Sequence, residues 1–88
     1  MEATAYTPFD DGQSGITASG IPAKRGIVAV DPRVVPLGTR VFIPGYGLAL
    51  AADTGGAIKG HKIDLCIEDY NEAIRFGRRK VEVYILSE

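Results

Sequence analysis

Asp53 and Asp64 stand at the two ends of a glycine-rich loop, Thr54-Gly55-Gly56-Ala57-Ile58-Lys59-Gly60-His61-Lys62-Ile63. Pairing the two aspartates across that loop as a hairpin puts Ala52 opposite Leu65 and Leu50 opposite Ile67. Leu48, Leu50, Ile63, Leu65 and Ile67 then share one face, and Ala49, Ala51, Asp53, Asp64 and Cys66 the other. Directly paired residues hold their Cβ atoms about 4.5–5.5 Å apart. Two carboxyl groups that close in a partly dry groove do not both ionise easily, so one pKa is expected to rise. A carboxylic acid that keeps its proton near neutral pH is what a leaving oxygen needs from a general acid. Asp64 is the better candidate, because it interrupts an otherwise apolar strand between Ile63 and Leu65. The small side chains beside it leave room for a bulky polymer.

Each aspartate also has a plainer reading. Asp31 follows Val30 and precedes Pro32, a place where a short carboxylate caps a turn. Asp53 could open the turn Thr54-Gly55-Gly56, and Asp64 could be a mid-strand charge facing water. Gly55-Gly56 permits close backbone approach in a tight turn or against a ligand. Lys59 and Lys62 can reach an anionic substrate or lie solvated. Tyr6, Tyr46, Tyr70 and Tyr84 offer aromatic surfaces for a sugar ring or for core packing. Ser14, Ser19 and Ser87 form no recognisable nucleophile arrangement with His61. One cysteine, Cys66, and one histidine exclude a disulfide and a typical zinc site, so no metal or cofactor is expected. Asp53-Thr54-Gly55 also matches the short signature of homodimeric aspartic proteases, which share one proton between two aspartates.

The elements that must position these groups are short. Ile27–Val30, Arg40–Ile43, Leu48–Ala51, Ile63–Ile67 and Val81–Leu86 read as strands, Ala3–Thr7 as a weaker one, and a brief extended piece surrounds Ile16-Thr17-Ala18. Turn signals separate them, among them Asp10-Asp11-Gly12, Pro36-Leu37-Gly38 and Pro44-Gly45-Tyr46-Gly47. Tyr70 to Phe76 is the one helix: Asp69 is placed as N-cap, Glu72 completes a capping box, Gly77 ends it, and Ala73 and Phe76 face the sheet. Arg75, Arg78, Arg79 and Lys80 read as its solvated basic end.

Eleven glycines and five prolines in 88 residues favour a small barrel over a helical bundle, and 45% hydrophobic content supports one core. The expected class is therefore all-β, mainly strands with one short helix, closed as a six-stranded barrel in a single domain, residues 1–88. A net charge of −1 excludes the basic footprint of a general nucleic-acid binder. No apolar run is long enough to span a bilayer, and Met1-Glu2-Ala3-Thr4 resembles no signal peptide, which is compatible with a domain taken from a longer secreted protein.

Across nearly the whole chain, the sequence resembles a 3D (three-aspartate) domain. The resemblance is carried by Ala5-Tyr6, Thr17-Ala18-Ser19-Gly20, Val28-Ala29-Val30-Asp31-Pro32, Pro36-Leu37-Gly38-Thr39, Ala52 to Gly60, Ile63-Asp64 and Phe76-Gly77-Arg78-Arg79. It implies a double-psi β-barrel similar to the catalytic domain of A-type lytic transglycosylases and of stationary-phase muralytic enzymes. Those enzymes cleave the N-acetylmuramic acid–N-acetylglucosamine bond of peptidoglycan without water and leave a 1,6-anhydromuramyl end. Carried onto this chain, Asp64 becomes the acid/base, Asp53 its support, and Asp31 a holder of the barrel or groove. Thr17, Gly56 and Lys59 would line the saccharide cleft, and Tyr6 would offer it an aromatic surface. The partner implied is a peptidoglycan glycan strand, and the location extracellular or wall-associated. A non-catalytic wall-binding domain is the alternative.

Overall fold

The computed structural model describes residues 1–7 and 17–87. Seven strands and a single short helix make up the elements among them: β1 (Glu2–Tyr6), β2 (Ile27–Val30), β3 (Arg40–Ile43), β4 (Gly47–Asp53), β5 (Lys62–Cys66), α1 (Tyr70–Phe76), β6 (Arg79–Lys80) and β7 (Tyr84–Ser87). The expected turn at Asp10-Asp11-Gly12, the Ile16 end of the short extended piece, and Ser14 lie outside the described residues.

The strands form one mixed sheet in the order β6-β1-β5-β2-β4-β3-β7, curled into a half-barrel. Seven strands replace the expected six because a two-residue strand, Arg79–Lys80, precedes the segment read as a single strand, Val81–Leu86, of which only the end lies in a strand, β7. β6 pairs with β1 and β7 with β3, so the stretch from 79 to 87 joins both margins of the sheet. The Met1 ammonium donates to the Val81 carbonyl at 2.7 Å and Val81 N–H returns a bond to Met1 O at 2.8 Å. These bonds tie the first residue into that closure.

A larger correction concerns β4 and β5, which do not pair. They run antiparallel, as a hairpin would, but β2 lies between them, parallel to β4 and antiparallel to β5. The loop at residues 54–61 is long enough to carry the chain across the inserted strand. Consecutive strands are neighbours only about two-thirds of the time, and here the rule fails.

The face assignment of β4 changes with it. Ala49 and Ala51 are buried with Val28, Val30, Ile63 and Leu65, whereas Leu48 is 70% exposed. The interior of so narrow a barrel fills by alternating small with large side chains, and alanine is what β4 can bring inward against the branched residues of β2 and β5. The excluded Leu48 and Leu50 line an outer depression with Arg40 and Leu86.

The helix follows its sequence signals. Asp69 Oδ1 accepts the Glu72 N–H at 3.0 Å, and Gly77, with φ at 61°, closes the last turn through its N–H to Ala73 O. Such a cap contributes about 1 kcal/mol, but a helix this short is not stable by itself. Ala73 and Phe76, packed against the core, hold it on the barrel. Arg79 lies over the Phe76 ring at 4.3 Å and donates to Phe76 O, so the exposed basic end is ordered by its own helix.

Candidate active site

A row of side chains crosses four strands. Thr4 pairs with Asp64, Asp64 with Ala29, and Ala29 with Asp53. Paired residues point to the same side of a sheet, so both carboxylates face one side with the Ala29 methyl between them. Two strand spacings put their backbones about 10 Å apart instead of the 5 Å of a direct pair. Asp53 and Asp64 are therefore not in the direct contact that the hairpin pairing implied. What remains is a gap between two acids, floored by the smallest chiral side chain.

A bulge is what turns Asp53 to that side. The β2–β4 register runs Val28 to Ala51 and then Ala29 to Asp53, skipping Ala52. Strict alternation would have sent Asp53 inward with Ala49 and Ala51. The extra residue reverses the phase, as bulges beside functional sites often do. It also frees the Ala52 carbonyl, which accepts Ser19 N–H at 3.0 Å. Asp53 Oδ1 accepts the Ala18 and Thr54 N–H groups, both at 2.9 Å. Asp53 thus fastens the Thr17–Gly20 turn to the end of β4.

Asp64 is half-buried and accepts a bond from Thr4 Oγ1 at 2.9 Å on its Oδ1. Tyr6 pairs with Cys66 one step along the same face, and its hydroxyl is buried. Burial first, then the charges of Cys66, Asp53 and Asp64 and a hydrogen bond with Cys66, raise the Tyr6 pKa, so the phenol keeps its proton throughout any working pH.

The remaining candidates are dispersed. Thr17 is buried and its hydroxyl donates to Ile21 O at 2.8 Å, so its side chain works inside the turn that Asp53 anchors. Gly56, Lys59 and His61 are exposed on the loop between β4 and β5. Asp31 lies at the far end of that loop, only 3% exposed. Its Oδ2 accepts Gly60 N–H at 2.8 Å and Arg33 Nη2 at 2.9 Å, and its Oδ1 accepts the backbone N–H and Nε of Arg33. The carboxylate pins the loop to the turn after β2.

The Arg33 guanidinium, followed by the Gly60 N–H, holds the Asp31 carboxyl well below the usual carboxylate range. A lowered folded value means that its contribution to stability is whole above the ordinary aspartate value of 3.8 and fades as pH falls below it. Arg33 is largely exposed, so most of that contribution comes from the buried amide bonds and little from the ion pair. The expected result is a melting temperature that drops on acidification from neutral pH to about pH 2, with Asp31→Asn removing part of that dependence. Parallel curves for the two proteins would contradict the assignment.

Tyr46, named from the sequence only as one of four aromatic surfaces, braces the site through its hydroxyl. Its hydroxyl donates to Cys66 O at 2.6 Å and accepts Gly26 N–H at 2.8 Å. It thereby joins the end of β5 to the residue before β2. Only its place in a Pro-Gly-Tyr-Gly turn hinted at a special role.

No helix among the described residues is long and apolar enough to cross a membrane. The family model of the 3D domain matches residues 26–87. The chain is 49% identical over 91 aligned residues to the cell wall-binding protein YocH of Bacillus subtilis and 46% identical to the putative cell wall shaping protein YabE of the same organism. It spans 32% of the first and 22% of the second, about a third or less of each. Among solved structures it resembles MltA of Escherichia coli, described as having a lytic transglycosylase fold, with a TM-score of 0.67 and 26% identity over 83% of this chain and 28% of that one. The lytic transglycosylase LtgG of Burkholderia pseudomallei gives a TM-score of 0.67 and 28% identity over 82% of this chain and 26% of that one.

Proposed function

This chain belongs to the 3D domain family, and from that premise we propose that it is a peptidoglycan lytic transglycosylase domain with Asp64 as its acid and base. The observation that carries the reading is the row Thr4–Asp64–Ala29–Asp53, which holds a half-buried carboxyl group beside an open gap on a barrel like those of MltA and LtgG. Residues 1–88 are one such domain, acting at the cell wall. The half-barrel is read as a double-psi barrel in which β6 and β7 are two halves of one closing strand, which restores the count of six.

In the first step Asp64 gives its proton to the oxygen between N-acetylmuramic acid and N-acetylglucosamine, and that C1–O bond breaks as positive charge grows on C1. In the second, the Asp64 carboxylate takes the proton of the muramyl C6 hydroxyl, whose oxygen closes onto C1. One residue serves both steps, and no water-activating base is needed, in contrast to paired-carboxylate hydrolases. Asp53 supports the cleft by fixing the Thr17–Gly20 turn, and Asp31 by fixing the loop that carries Gly56 and Lys59. Digestion of purified sacculi, with the soluble products weighed by mass spectrometry, tests the reading: anhydromuropeptides support it, and reducing-end products or none oppose it.

The name of YocH favours a second reading, a domain that binds wall glycan without cleaving it. Gly56 bears on both readings. A Cβ built there meets nothing within 4 Å and its backbone needs no glycine, whereas one at Gly55 would lie 2.9 Å from Ile58 Cγ1. Gly56→Ala should leave stability within about 0.5 kcal/mol. The same change should weaken sacculus binding several-fold, because the added methyl stands where the glycan approaches. Unchanged binding in a sedimentation assay would remove Gly56 from the cleft.

A further inference from the structure

The Tyr6 hydroxyl is buried and makes no hydrogen bond of regular geometry among the described residues. Its side chain meets Cys66 on the paired strand, whose thiol is a weak hydrogen-bond partner. Buried hydroxyls are nearly always satisfied, and leaving one unpaired costs free energy that a phenylalanine would not incur. A polar atom kept at such a cost on the face that carries Asp64 calls for a use.

We propose that Tyr6 is a positioning residue for Asp64, its hydroxyl a donor held for the carboxylate that forms when Asp64 gives up its proton. This rests on Asp64 being the acid. Tyr6 sits one step along the same face of β1 from Thr4, which already bonds Asp64. The two donors flank the acid from one strand. Toward a carboxylate the protonated phenol donates, and a donor stabilises the ionised acid. The groups facing this corner are Glu2 and Tyr6 on β1, Lys62 and Cys66 on β5, and Asp53 on β4. Glu2 pairs with both Lys62 and Arg78, Tyr70 of α1 lines the same depression as Thr4 and Tyr6, and β2 brings only Ile27 and Ala29. Thr4 and Tyr6 are the hydroxyl donors that β1 turns toward that face.

Tyr6→Phe tests this. The variant should melt at or above the parent temperature, since a buried hydroxyl with only a weak thiol contact is gone. Without the donor the Asp64 carboxyl should titrate at higher pH, read directly from its carbon chemical shift. The alkaline limb of the turnover profile should move up in the same direction, and kcat should fall about tenfold or more with KM little changed. A lower melting temperature would show that the hydroxyl already has a partner at rest, and an unmoved Asp64 titration would show that it does not serve the acid. Either result overturns the proposal. Asp64→Asn, run alongside, reports separately on the lytic reading: if it stays active, that reading fails while the chemical-shift arm still judges Tyr6.

Discussion

Asp64→Asn is expected to reduce release of anhydromuropeptides by about 10²–10⁴, the share that general acid–base help supplies. The amide is nearly isosteric, and its oxygen can still accept the Thr4 hydroxyl bond that the carboxylate accepts now. Packing around β5 is therefore preserved, and stability should stay within about 1 kcal/mol of the parent. What the variant loses is a proton that can leave and return. Asp53→Asn makes an informative control. Asp53 Oδ1 works by accepting the Ala18 and Thr54 N–H groups, a task that an amide oxygen also performs. Its loss of turnover should be much smaller than that of Asp64→Asn. Equal losses would mean that Asp53 acts through its charge across the Ala29 gap. Asp64→Asn that still bound sacculi, beside a parent that released nothing, would instead establish the binding reading.

The parts of this arrangement legible in the sequence are those fixed by local chemistry. The helix from Tyr70 to Phe76 was visible because Asp69, Glu72 and Gly77 act on backbone groups within one turn. Ile27–Val30 and Arg40–Ile43 were visible as short apolar runs between turn signals, and both are strands with those bounds. The pairing of β4 with β2 was not, because nothing local to the loop at residues 54–61 distinguishes a hairpin from a crossing over a third strand. The phase of β4 was hidden for a related reason. Leucine at positions 48 and 50 reads as the buried set wherever hydrophobicity alone decides, but inside a tightly curled sheet the available volume decides, and it admits Ala49 and Ala51. The bulge at Ala52 then reverses the alternation just before Asp53. Asp53 therefore reaches the side of Asp64 by two departures from simple pattern reading, an inserted strand and a skipped residue.

The largest stability effect is expected from Tyr46→Phe. Removing that hydroxyl leaves Cys66 O without its donor and Gly26 N–H without its acceptor, in a place where the tyrosine itself is 8% exposed. Each orphaned buried group costs about 1–3 kcal/mol, so the sum is roughly 2–6 kcal/mol. For a domain of this size each kcal/mol moves Tm by about 4–8 °C, so a fall of about 8 °C or more should follow. The other contacts of Tyr46 survive the change. Arg25 stacks on the ring at 4.6 Å and donates to the Tyr46 backbone carbonyl, and neither contact uses the hydroxyl. A shift below about 4 °C would mean that water replaces the hydroxyl and that the brace between β5 and Gly26 is weak. Set beside Tyr6→Phe, the experiment becomes a matched pair: a buried hydroxyl is removed from each of two tyrosines of one small barrel. Loss of stability at position 46 with none at position 6 would separate the hydroxyl that holds the site together from the one proposed to serve the acid.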